Sequence, residues 1–200
     1  KDDHKCEPFR TINTYVREMT LGALDFANLW PSLTSLTPTT AYLSREIYSD
    51  PVGTCDNSGT IALDPAPTAP PTQISVWGWD RIDAVQLVYP PGCGSMGRTI
   101  TPRMGDANGG SNQSPNGGVF DVSNNPVTVA RGRAGDILNS FKFTFQDGTT
   151  SYKLGGGAGG GDSFAFGYTG EVLSSIHING ISDSYGSADC AVFGFKFPKT

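Results

Sequence analysis

"GDILNSFKFTFQDGTTSYKLGGGAGGG", Gly135–Gly161, decides how this chain is read. Within Ile137–Phe145 apolar and polar residues alternate, which is the period of a half-buried strand. Asp147-Gly148 in "FQDGTT" marks a hairpin tip. Ser151–Leu154 reads as the returning strand, and the glycine run of "LGGGAGGGDSF" (Leu154–Phe164) closes the unit before another strand at Ser163–Phe166.

The unit recurs on both sides. "WDRIDAVQLVY" (Trp79–Tyr89), "GDILNSFKFTF" (Gly135–Phe145) and "GEVLSSIHING" (Gly170–Gly180) align without gaps. Ile82, Leu138 and Leu173 share one position, Val85, Phe141 and Ile176 a second, and Leu87, Phe143 and Ile178 a third. The last two sets lie two residues apart, so they fall on one strand face. The spacings are unequal, which excludes a solenoid. Three similar β units in one domain predict a pseudo-threefold body around a shared core. Further strands are expected at Val119–Val122 and Ala191–Phe197, and the chain reads as β from Ile74 onward.

Upstream the pattern changes. Ile12, Val16, Met19, Ala23, Phe26 and Trp30 recur at steps of three and four, the apolar stripe of one helix, and Pro31 stops it. A Ser/Thr/Pro-rich connection follows, then a short strand around Leu43–Tyr48 and a turn at Asp50-Pro51.

Composition excludes several functions. The 200 residues carry a net charge of −5, and the 14 Lys+Arg form no basic stripe along the sequence, so nucleic acid is not an expected partner. No run reaches the roughly 18 apolar residues of a membrane span. The polar start "KDDHKCEPF" is unlike a signal peptide, and the abrupt ends suggest a piece of a longer chain. Cys6, Cys55, Cys93 and Cys190 are far apart with no C-x-x-C pair, so no metal is expected; disulfides and free buried thiols both remain open.

No catalytic set assembles. His177 sits between Ile176 and Ile178, so it is expected on the outer strand face as a solvated histidine, and His4 lies in a tail. Asp80 and Asp83 are three apart at a strand entry and point in different directions, unlike a paired-carboxylate hydrolase. The glycine run lacks the lysine of a phosphate loop, and strands on both sides exclude a linker. It remains either a bare turn or a loop where the missing Cβ lets a ligand approach the main chain. Trp77 and Trp79 are candidates for stacking on a sugar or for packing beneath the sheets.

Gly135–Gly161 resembles a Greek-key unit of the jacalin-related, mannose-binding lectins. In that family a G-x-x-x-D motif opens a strand, and its carboxylate joins Gly-loop amides in gripping sugar hydroxyls. A carboxylate accepts sugar O–H bonds, and a glycine loop brings N–H donors close. The match is incomplete. Gly135 is present but Asn139 stands at the acid's position; Gly170 is followed by Ser174; Asp83 is present but Trp79 replaces the glycine. The resemblance spans about Ile74 to Phe197 and implies carbohydrate-binding candidates Asp83, Trp79, Gly109 and Gly110, or Gly135, Asn139, Gly156 and Gly157.

The upstream part is similar to the three-domain crystal (Cry) δ-endotoxins of Bacillus thuringiensis. Arg17 to Leu21 with Leu24 and Asp25 match the last helix of their pore-forming domain. Leu43, Arg45 to Tyr48 and Asp50 to Val52 match the first strand of their second domain, itself a β-prism. The resemblances together imply an all-β fold: a β-prism I of three Greek-key sheets with pseudo-threefold symmetry, preceded by one α-helix. Residues 1–40 would be the terminal helix and connection, and 41–200 the prism, with lectin-like units at about 74–122, 135–166 and 170–197.

The implied function is receptor binding in a pore-forming insecticidal or nematicidal toxin, without catalysis or cofactor. Its partner would be a cell-surface glycolipid or glycoprotein of an invertebrate gut. The membrane would be met only through the full-length toxin, stored in a parasporal crystal. In the toxin family apical tips contact receptors, here Cys93, Gly94, Ser95, Met96 and Gly97, and Asp147, Gly148 and Thr149. A free-standing lectin, or a structural prism whose sugar site has decayed, are the competing readings.

Overall fold

The computed structural model describes residues 46–55, 64–106, 108–156, 160–182 and 187–197. The expected helix at Thr11–Trp30, Cys6 and Gly157 fall outside them. The chain separates into Lys1–Tyr42 and Leu43–Thr200, and everything below concerns the second unit.

Twelve strands are found among the described residues. They are β1 (Ile47–Tyr48), β2 (Val52–Gly53), β3 (Gln73–Gly78), β4 (Ile82–Val88), β5 (Met104–Gly105) and β6 (Gly118–Asp121), then β7 (Val127–Ala134), β8 (Leu138–Phe145), β9 (Leu154–Gly155), β10 (Asp162–Phe166), β11 (Val172–Ser182) and β12 (Ser187–Lys196). They form three antiparallel sheets: β5-β4-β3-β6, β9-β8-β7-β10, and β11-β12 with both β1 and β2 on the far side of β12. The expected all-β prism of three sheets is therefore present. β3 and β7 were not singled out in the sequence. In "VTVARGRA" of β7 three of the eight residues are charged or glycine, so its apolar alternation is weak.

Register shows which strands are equivalent. Ala84 pairs with Gly105, Ser140 with Gly155 and Cys190 with Gly53. Each glycine has positive φ: +99° at Gly105, +75° at Gly155 and +91° at Gly53. A Cβ on any of them would run into the carbonyl oxygen of the residue before its partner: Asp83, Asn139 or Asp189. Only glycine combines that φ with that approach. Hence β4, β8 and β12 are the three copies, and Asp83, Asn139 and Asp189 occupy one slot.

The expected third repeat is corrected accordingly. "GEVLSSIHING" belongs to β11, which corresponds to β3 and β7, and Ser174 is not the counterpart of Asp83. β11 has an inward apolar face of its own, with Leu173 and Ile176 buried. A period of two aligns any inward face with any other.

The core follows from the true alignment. Val85, Phe141 and Ala191 point inward at one level, Leu87, Phe143 and Phe193 at the next, and Tyr89 and Phe195 below. Phe141 meets Phe193 edge-on at 6.0 Å, and Phe164 and Phe166 pack against the same ring. Burying each such ring stabilises the fold by about 1.5–3 kcal/mol. Tyr89 carries its hydroxyl into this interior and donates it to Ser174 O at 2.8 Å. The third sheet is also joined covalently, because Cys55 and Cys190 form a disulfide with Cα atoms 4.9 Å apart. Cys93 is a free thiol.

Candidate functional site

Two hairpins of the same build open the first two copies. Gly78 pairs with Ile82 across Trp79-Asp80-Arg81, and Ala134 with Leu138 across Gly135-Asp136-Ile137. Both pairings carry a register shift at that point. A bulge there re-aims the next side chains, Asp83 and Asn139. The glycine-rich segments after β5 and β9 return to this same end of the prism.

At the first copy, Arg103 arranges the returning loop. Its guanidinium lies 4.3 Å over the Trp77 ring and donates to Gly109 O. Ser111 and Gly78 exchange backbone hydrogen bonds at 3.1 and 3.2 Å. Gly110, at φ +68°, is thereby laid over Asp83, so close that a Cβ on it would meet Asp83 Oδ2 and Gly78 N. The structure thus places Gly110 against Asp83, while Gly109 lies against Asp106. Asp83 is 5% exposed, and its Oδ2 is buried with no hydrogen-bond partner. Burial pushes its carboxyl up to about 6; Arg81 and Arg103 oppose that rise, and Asp106 and Asp80 add to it. Trp79 stands beside this group at the hairpin tip, 64% exposed.

At the second copy the slot is used differently. Asn139 Nδ2 donates to Gly160 O at 2.7 Å, so the amide ties down the glycine loop itself. A carboxylate there would face a carbonyl oxygen, acceptor against acceptor. Gly156 does not reach Asn139: its missing Cβ leaves room for the backbone of Asp80, the tip of the neighbouring hairpin. Gly155 N donates to Asn116 O at 2.7 Å, linking the same two units. Gly135 lies against Gly161. Gly156 and Gly161 therefore pack main chain on main chain.

The third copy, Asp189 on β12, escaped the sequence reading. Its signal was present in "ADCAVFGF", which matches "IDAVQLVY" at the acid and at the inward positions: Ala188 with Ile82, Ala191 with Val85, Phe193 with Leu87 and Phe195 with Tyr89. The better-looking "GEVLSSIHING" concealed it.

The two tips lie at the opposite end, because β4 and β8 run away from the Asp83 and Asn139 slots. Cys93 to Gly97 forms a tight knot closed by Gly94 N to Arg98 O at 2.9 Å and Gly97 N to Gly94 O at 2.9 Å. Ser95–Gly97 is a single 3-10 turn. Met96 occupies it at φ +56° with its side chain 68% exposed. In the other tip Asp147 Oδ1 accepts from Thr149 N at 2.8 Å and Thr149 Oγ1 at 2.6 Å, which holds the carboxyl below its ordinary value. Gly148 supplies the positive φ of that turn.

His177 is not solvated, contrary to expectation. It does face away from the core, but it is buried, edge-on to Tyr48 at 5.8 Å and 3.1 Å from Ser175 Oγ through Nε2. Burial lowers its pKa, against the pull of Glu46 and Asp64. Glu46 accepts from Ser174 Oγ, from Ser175 Oγ at 2.6 Å and from Tyr48 OH at 2.6 Å. Gly194 leaves the space for this cluster. Its order is acid, serine, histidine, so the acid does not orient the imidazole as in a serine hydrolase.

No protein-family model matches the chain. A search of curated proteins finds the pesticidal crystal protein Cry1Ka of Bacillus thuringiensis subsp. morrisoni, 50% identical over 51 residues, which is 24% of this chain and 4% of that protein. Over those residues the chain is a partial homologue of Cry1Ka. It spans a small part of that relative's length. Solved structures agree on the fold. A mannose-binding jacalin-related lectin from Ananas comosus gives a TM-score of 0.57 at 18% identity, over 77% of this chain and 99% of the lectin. Malaysian banana lectin gives 0.55 at 17%, over 78% and 100%. The protein PirB gives 0.58 at 13%, over 78% of this chain and 39% of its own. The described unit thus has the β-prism fold of the jacalin-related lectins.

Proposed function

We propose that this prism recognises cell-surface carbohydrate as the receptor-binding module of a pore-forming insecticidal or nematicidal crystal toxin. The observation that carries the reading is Asp83. A carboxylate oxygen buried without a partner is costly. Here it lies under a glycine backbone and beside an exposed tryptophan, the chemistry that grips hydroxyls and stacks on a sugar face. The Ananas comosus lectin and a lectin from Champedak are mannose-binding proteins. The ligand proposed here is a glycolipid or glycoprotein glycan of an invertebrate gut. The remainder of a full-length toxin would supply pore formation, and the toxin would be stored in a parasporal crystal. Residues 1–40 would then be the tail of the pore-forming domain, and 41–200 the binding prism.

The second copy contributes structure under this reading, because Asn139 is already engaged by the loop. A second reading places the contact at the opposite tips, and the exposed Met96 held at φ +56° favours it. Glycan-array binding of the chain with Asp83→Ala and Trp79→Ala separates the two. Loss of a neutral-glycan signal of at least tenfold, about 1.4 kcal/mol, is expected for both. If both variants bind target cells like the parent while replacement of Cys93–Gly97 or Asp147–Thr149 abolishes binding, the tips are the contact surface and the sugar-site reading fails.

A further inference from the structure

The outer face of the β9-β8-β7-β10 sheet carries a concentration of positive charge that the fold does not use. Arg131 and Arg133 point outward from β7; Arg131 stands opposite Lys142 on β8, and Arg133 opposite Ser140. On the other side they face Ala165 and Ser163 of β10. With Lys153, just before β9, they line one groove of about 390 Å³ that reaches Gly156. The chain has 14 Lys+Arg and a net charge of −5, so four cations on one face oppose the overall sign. Arg131 donates to Thr144 Oγ1 at 2.6 Å, and none of the four forms an ion pair among the described residues. Like charges directly opposite in a sheet, as at Arg131 and Lys142, are destabilising. A face that keeps such a pair without a neutralising acid is suited to an external anion.

The spacing defines that anion. Neighbouring strands lie about 4.8 Å apart, and residues two apart on a strand about 6.7 Å, so the cations repeat at roughly 5–7 Å in two directions. That suits a polymer bearing several anions, with the exposed Ser163 placed to meet a hydroxyl between them. The groove floor is Gly132, with the half-buried Phe164 ring against it. None of the large exposed apolar side chains, Trp79, Met96, Ile100, Val119 or Tyr152, lines the groove. A bilayer would find no exposed apolar side chain to bury there, and unpaired bases no fully exposed ring to stack on.

We propose that this groove is a second binding surface, separate from the Asp83 site, and that its ligand is a sulfated polysaccharide. The cations would take sulfates by charge-assisted hydrogen bonds, and Ser163 a ring hydroxyl. The surface stands independently of the neutral-sugar reading above. Titration calorimetry of the full chain with a heparin octasaccharide, its desulfated counterpart and an octaglutamate peptide tests it. Heparin is expected to bind at least tenfold more tightly than either control, with affinity falling steeply as salt rises. Arg133→Glu with Lys142→Glu is expected to lower heparin affinity at least about thirtyfold, and Arg133→Gln with Lys142→Gln about tenfold, with circular-dichroism melting confirming the fold. Asp83→Ala should leave heparin affinity unchanged. Equal binding of desulfated heparin, octaglutamate as tight as heparin, or full heparin affinity in folded charge variants each overturns the proposal.

Discussion

Asp83 and Asn139 occupy the same backbone slot in two copies of one unit, and their environments are opposite. Each follows a three-residue hairpin, and each has a left-handed glycine pressed against its carbonyl, Gly105 or Gly155. Asn139 spends its amide on Gly160 O and closes its own loop. Asp83 is covered by Gly110, and its Oδ2 is given no donor. Backbone geometry, repeated by symmetry, fixes where the side chain goes. The single choice of acid or amide then decides whether the slot is internally satisfied or left waiting for a donor. The third copy adds another variation: Cys190 sits where the others have Ala84 and Ser140, and its disulfide to Cys55 staples the slot of Asp189.

The largest expected effect breaks that third copy. The disulfide joins residues 135 apart, and loops of that order contribute about 4–5 kcal/mol in the chain-entropy model. Cys55→Ser with Cys190→Ser is expected to lower stability by about 3–5 kcal/mol in urea unfolding. Amide exchange should rise in β2 and β12 more than in β4 and β8. Uniform exchange across all three sheets would show that the staple acts only on the unfolded chain.

An intermediate effect comes from making the second slot like the first. Asn139→Asp replaces a donor by a carboxylate facing Gly160 O, and is expected to cost about 2 kcal/mol at neutral pH. The sign with pH follows from burial. The introduced acid would have a folded pKa above its unfolded one, so the deficit is greatest at high pH. It shrinks as pH falls through the folded pKa, where the protonated acid can donate to the carbonyl. Thermal melts at pH 4 and pH 8 measure the difference, and a deficit that grows toward pH 4 would refute the account.

The smallest effect comes from the reverse change. The Asp83 carboxyl titrates near 6, above the ordinary value of 3.8. The folded state therefore holds its proton more tightly, and this stability is present below about pH 4 and lost as pH rises toward 6. Asp83→Asn should remove that slope and raise stability above pH 6 by about 1 kcal/mol, after discounting for solvent screening. Chemical denaturation across pH 4–7 reads it, and an unchanged slope would assign the titration to another group. The same variant loses charge assistance toward a sugar hydroxyl, so stability and glycan affinity are expected to move in opposite directions.

Much of this was legible in the sequence because it is local. Alternation, turn residues and glycine clusters lie within one hairpin, so the all-β character and the equivalence of Asp83 with Asn139 could be read directly. The third copy could not. Its strand contacts Gly53, 137 residues away in sequence, and nothing local separates β12 from β11 when both present an inward apolar face. His177 failed for a related reason. Its outward direction was evident, but the cover over that direction comes from Tyr48 and the cluster around Glu46, on a distant strand.

The sequence by itself therefore determined the strand content, the threefold plan and two of its copies, because period-two patterning and glycine at positive φ are properties of short segments. Tertiary structure alone decided which strand completes the symmetry, that Asp83 is buried under Gly110, that Asn139 serves its own loop, and that four scattered cations meet on one face. These depend on which backbones approach across sheets, and neither composition nor local spacing encodes that distance.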